Sequence, residues 1–140
     1  MEQKPLEQRV VDRMYNGDAF SQWMAMERVS ESPGESILRM TVRPEMTNGF
    51  GIAHGGITYS LADSALAFAS NGHGVHSVSI ETSISHLTRV MPGDVLTAHA
   101  KEMSKSNKIG VYHIEVRNQE NTLVALFKGM VYRTGKEWDV

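Results

Sequence analysis

Cysteine is absent from the 140 residues, which removes disulfides, thiolate nucleophiles, cysteine-type zinc sites and iron–sulfur clusters together. Long apolar runs are missing as well. No stretch approaches the roughly 18 apolar residues of a membrane span, and the opening "MEQKPLEQRVVDRMYNGD" is charged from Glu2 onward with no apolar signal-peptide core. The expectation is a soluble, cytoplasmic protein. Charge of one sign is lacking too: 14 basic and 16 acidic residues are interspersed, so nothing marks a nucleic-acid or membrane partner. Of the six histidines, His73 and His76 lie close together, but no third ligand stands at a suitable spacing, and no metal is expected. Internal repeats and low-complexity segments are also absent.

What is present, 41% hydrophobic and 21% charged residues, fits one compact domain over residues 1–140. Leu6, Val10 and Met14 recur every fourth position and predict an amphipathic helix ended at Asn16–Gly17. The segment "AFSQWM" adds a short helical turn. Two strands follow, around Met26–Ser30 and Ser36–Val42, joined through the turn-rich "ESPGE", with Leu38, Met40 and Val42 facing inward. After the glycine-rich loop "RPEMTNGFGIAHGG", Ile57 to Asn71 carries no charge except Asp63, which reads as one buried helix stopped by Gly72. Four strand-like segments complete the chain: "VHSVSIETSISHL", "VLTAHAKEM", "GVYHIEVRN" and "TLVALFKGMVYR". Alternation at Val78, Ile80, Thr82 and Ile84, and at Tyr112, Ile114 and Val116, predicts sheet with one face buried. The order is α+β, and the simplest packing wraps an antiparallel sheet around the apolar helix.

The loop before that helix spells G-x-G-x-x-H from Gly49 to His54 after a proline-containing stretch, which is not a dinucleotide fingerprint. His54-Gly55-Gly56 is more specific. The first turn of a helix has N–H groups without intrahelical partners at the positive end of the dipole, and glycines there let a carbonyl oxygen approach as it becomes an oxyanion. The same glycines also suit a plain tight turn. Asp63 is a poor residue for a helix interior, and among apolar flanks its carboxylate needs partners, a raised pKa or a wet cleft. It reads either as a structural acid or as a general base or nucleophile. Asp63 lies nine residues after His54, roughly 10 Å or more along the axis at about 1.5 Å per residue. One helix does not bring both to one carbon. Two copies about a two-fold axis do, so a dimer with shared sites is expected.

Asn48-Gly49, His54-Gly55-Gly56 and "SLADSA", followed by "MPGDVLTAHA" and "GVYHIEVRNQENTLVALFKG", resemble the hotdog-fold acyl-CoA thioesterases of the phenylacetic acid degradation type over roughly the whole chain. The resemblance implies a hotdog fold, an antiparallel sheet wrapped around a central helix over about residues 56–71 and preceded by an N-terminal helix. It implies homodimers that pair again into tetramers, and hydrolysis of small aromatic, phenylacetyl-type, or short- to medium-chain acyl-CoA without a separate cofactor, coenzyme A being part of the substrate. By the same resemblance Asp63 is the catalytic base or nucleophile, Gly55 the oxyanion donor, and Asn48 and His54 flank the carbonyl. Gly56, at the open helix start, and Tyr59, near the helix and as readily plain core, are further candidates for the substrate side. Relatives often carry an aromatic-Leu-Arg-Pro string where this chain reads "HLTRVMPGD", so Arg89 is displaced by one position. Arg89, Lys105 and Lys108 are the candidates for the coenzyme A phosphates. A non-catalytic acyl-CoA-binding hotdog protein is the alternative. A hotdog hydratase or dehydratase is another, although the D-x-N-x-x-H motif expected for it is absent.

Overall fold

A computed structural model describes residues 2–140. Helix α1, Leu6–Asn16, buries Val10 and Val11 and ends at Gly17. Helix α2, Ala19–Trp23, is capped by Asp18, whose carboxylate accepts the Ser21 N–H at 2.9 Å and the Ser21 hydroxyl at 2.6 Å. Strands β1, Glu27–Ser32, and β2, Glu35–Thr41, form a hairpin. Gly34 adopts the left-handed φ of +80° that its turn requires. Leu38 and Met40, with Val42 just beyond, face the core as their alternation predicts.

The long helix α3 runs Gly55–Asn71, and β3, Val75–His86, β4, Val95–Lys105, β5, Ile109–Arg117, and β6, Leu123–Glu137, follow. All six strands join one antiparallel sheet in the order β1-β2-β4-β5-β6-β3. Helix α3 lies against this sheet, burying Ile57, Leu61, Leu66 and Phe68 among Leu96, Ile114 and Phe127. The approach is closest at Gly129 of β6, where an added Cβ would stand 2.4 Å from Leu66 Cδ2. At its far end α3 is locked to β3 by Asn71, whose amide donates to Ser77 O at 3.1 Å and accepts the Ser77 N–H at 2.9 Å. This is the sheet wrapped around a central helix that the resemblance implies.

One patterned strand departs from its reading. Val78 and Ile80 are each 55% exposed, whereas Ser77 is buried and Ile84 packs against the core. A bulge between Ser79 and Glu81 inserts one residue opposite β6. The inward parity therefore changes from odd to even along the strand, and the apolar side chains before the bulge point away from the helix. Being an edge strand paired only with β6, β3 leaves them uncovered. The alternation of Tyr112, Ile114 and Val116 is seen as read, all three buried.

Candidate functional site

The loop before α3 is held by its own backbone. Asn48 N–H donates to Ile52 O at 2.8 Å, Gly51 N–H to Asn48 O at 3.0 Å with a φ of +77°, and His54 N–H to Met46 O at 2.8 Å. Ala53 N–H donates to Val90 O at 2.8 Å, tying the loop to the segment after β3. His54 then caps the helix from extended backbone, its Nδ1 accepting the Gly56 N–H at 2.9 Å and its carbonyl the Ile57 N–H at 2.9 Å. A Cβ on Gly56 would stand 3.1 Å from His54 Nδ1, so glycine keeps that cap unhindered. Among the described residues the Gly55 N–H has no acceptor. It is the one first-turn donor left for an outside oxygen, at the positive end of the helix.

Gly55 opens into a cleft of about 280 Å³ whose walls include Asn48, Thr58, His86, Thr88 and Arg89. Asn48 Oδ1 accepts the Phe50 N–H at 2.9 Å. The structure thus gathers three of the sequence candidates, Asn48, Gly55 and Arg89, in one place. His54 and Gly56 border a neighbouring cleft of about 370 Å³ with Phe20, Trp23, Met46 and Ser60. Tyr59 turns to the sheet, its hydroxyl bonded to that of Thr82 and its ring edge-on to Phe127 at 5.2 Å. Lys105 and Lys108 flank the exposed β4–β5 turn. The turn is at the opposite end of β4 from the first cleft, about 30 Å away at roughly 3.3 Å per residue.

Asp63 sits half-buried in a separate cavity of about 60 Å³ lined by Leu66, Ala67, Ser70, Ser77, Ser79 and Val131. Burial raises its pKa above the ordinary aspartate value, because leaving water penalises the charged form. The result is a more basic carboxylate when ionised. Its cavity and the Gly55 cleft are distinct within one chain, eight residues apart on the helix, about 12 Å along the axis.

Residue-by-residue reading of the sequence missed His86, which lines the cleft from the last position of β3. A Cβ on Gly55 would lie 3.2 Å from His86 Nε2, so the ring rests directly over the helix start. The available signal was its place at the head of "HLTRV", three residues before Arg89. Among the described residues no cluster of three His, Cys, Asp or Glu side chains is arranged to hold a metal, and no helix is long and apolar enough to cross a membrane.

Residues 50–125 match the thioesterase superfamily model. A putative esterase of Archaeoglobus fulgidus is 39% identical over 94% of this chain and 85% of its own length. The acyl-coenzyme A thioesterase PaaI of Escherichia coli is 38% identical over 87% of each chain. The solved E. coli PaaI protein, from the phenylacetic acid degradation operon, superposes with a TM-score of 0.91 at 36% identity, covering 94% of this chain and 95% of the other. A Streptococcus mutans protein solved bound to acetyl CoA has a TM-score of 0.78 at 27% identity, covering 81% of this chain and 91% of its own.

Proposed function

This chain belongs to the thioesterase superfamily and has its hotdog fold, and from that premise we propose that it hydrolyses the thioester of small aromatic, phenylacetyl-type, or short- to medium-chain acyl-coenzyme A. The observation that carries the reading is the unpartnered Gly55 N–H opening into a cleft beside Asn48. A thioester carbonyl accepting that N–H gains most when its oxygen becomes negative, since the helix dipole and the fixed donor favour charge over neutrality. The relatives' names supply the coenzyme A half of the substrate. No separate cofactor enters the proposed reaction.

Asp63 takes the proton of the attacking water, and its half-burial raises the basicity this requires. It serves the carbonyl held by the partner subunit. Strand β3 is a 12-residue edge with Val78 and Ile80 exposed, the kind of edge that pairs with another chain. Antiparallel pairing of two β3 strands about a two-fold axis near Glu81 sets Ser77 of one chain opposite Ser85 of the other. Ser77 lines the Asp63 cavity, and Ser85 precedes His86, which covers Gly55. The homodimer thereby forms two shared sites, and the resemblance extends the proposal to a dimer of dimers. Arg89, on the wall of the first cleft, is the cation best placed for a coenzyme A phosphate.

A thiol-release assay across phenylacetyl-, benzoyl-, acetyl- and medium-chain acyl-CoA tests the reading. Turnover of at least one of these is expected. Binding of all of them without thiol release would instead make the protein an acyl-CoA carrier.

A further inference from the structure

Resting on the thioesterase reading, we infer that His86 is a further catalytic residue, its Nε2–H donating to the same carbonyl oxygen that accepts the Gly55 N–H. The nitrogen of Gly55 stands about 2.5 Å from the position of its own Cβ by covalent geometry, and His86 Nε2 is 3.2 Å from that position. The two nitrogens are therefore within about 5.7 Å of each other. An oxygen accepting from both at about 2.9 Å spans up to about 5.8 Å, so the separation allows a single oxygen to accept from both.

The backbone that carries the ring is held in place, and the ring is free to donate. His86 closes β3 opposite Ala125 of β6, and the two residues after it, Leu87 and Thr88, donate their N–H groups to Val124 O at 2.9 and 3.2 Å. Val90 O accepts from Ala53 in the loop that leads into α3, so the helix start and the histidine belong to one hydrogen-bonded unit. His54 and His73 spend ring nitrogens on Gly56 and Glu102, whereas the His86 ring has no hydrogen-bond partner among the described residues. Among the described residues its cleft holds one charged side chain, Arg89, and the polar side chains of Asn48, Thr58 and Thr88. Nothing there competes with a substrate oxygen as acceptor by charge.

In the reaction a C–O bond forms between water and the carbonyl carbon, the carbonyl π pair moves onto oxygen, and Asp63 takes the water proton. Collapse returns that pair, breaks the C–S bond and expels the coenzyme A thiolate, which takes up the proton. The imidazole keeps its own proton throughout. It stabilises the charge as a second donor beside a backbone N–H, which a donor fixed by the fold does best.

The test measures kcat and KM for His86→Phe and His86→Gln beside wild type and Asp63→Asn, with thermal midpoints for each. Loss of the donor in His86→Phe is expected to lower kcat about a hundredfold with KM near wild type, and His86→Gln, which keeps an N–H, is expected to regain at least about tenfold over Phe. Wild-type kcat in His86→Phe, or equal impairment of Phe and Gln, overturns the assignment while leaving the thioesterase reading intact. Absence of thiol release from the wild type itself overturns both.

Discussion

Replacing Asp63 by Asn is expected to lower kcat at least about a hundredfold, the scale of a lost general base, with KM near wild type, measured by thiol release on the best substrate of the panel. Asn keeps the size and one acceptor of the side chain, so the cavity beside Ser77 and Ser79 stays filled; what disappears is the ability to take a proton. The pH profile provides a second readout. Burial raises the Asp63 pKa, and the base works only when ionised, so the wild-type acid limb is expected above the ordinary aspartate range and should vanish from the residual activity of Asp63→Asn. The sign for stability is opposite. A group whose folded pKa is raised contributes stability that is present below its unfolded pKa and lost as pH rises through the folded one. Above the folded pKa the ionised, half-buried carboxylate is a cost, and there Asp63→Asn should melt slightly higher than wild type while losing activity. A variant that loses both stability and activity would point to a structural acid instead.

Gly129→Val is the second large effect, and it acts on the scaffold. A Cβ at Gly129 meets Leu66 Cδ2 at 2.4 Å, Cδ1 at 3.0 Å and Cγ at 3.2 Å. Leu66 is 1% exposed, in the core between α3 and the sheet, and the space it borders is the Asp63 cavity of about 60 Å³, so its side chain gives way only by filling that cavity. Valine brings a gain in strand preference and a loss of unfolded-state freedom, together about 1–2 kcal/mol in its favour. Overpacking a close-packed interior costs about 3 kcal/mol or more at a contact this short, and the clash prevails. Net destabilisation of about 2 kcal/mol is expected as a lower urea midpoint at unchanged m-value. Because the displaced helix carries both Gly55 and Asp63, kcat should fall as well. An unchanged midpoint would mean that α3 can move off the sheet at no cost.

The parts of this fold that a reader of the sequence could find are those set by local pattern. An almost charge-free run from Ile57 to Asn71 has little choice but to be buried, and it forms α3 with Gly72 at its end. Pro33–Gly34 between two alternating segments makes the β1–β2 hairpin for equally local reasons. Strand β3 was harder, because a bulge between Ser79 and Glu81 changes which residues face inward, and the pairing that creates the bulge is with β6, some fifty residues away. At the site, Asn48, Gly55 and Arg89 meet in one cleft as a composite of loop, helix start and post-strand segment. His86 joins them only through tertiary contact, 31 residues from Gly55, and no spacing rule reaches that far. The neighbouring cleft between Trp23 and His54 is hidden for the same reason. The physical distance between Gly55 and Asp63, by contrast, was readable from helix rise alone, and it is what makes a second subunit necessary to the account.

That necessity can be measured. Gly55→Pro deletes the donor at a first helical position, where the backbone tolerates proline, and crowds the His86 ring of the same site, 3.2 Å from the new Cβ; His54 before it already has φ −61° and ψ 136°, the extended region that a residue preceding proline prefers. Alone, Gly55→Pro and Asp63→Asn should each be nearly inactive. Unfolded together in equal amounts and refolded, they should form heterodimers as half of all dimers, each with one site that combines Gly55 of one chain with Asp63 of the other. Activity of the mixture is then expected at about a quarter of wild type for a two-fold dimer. A mixture no more active than its two components would contradict a site shared between subunits.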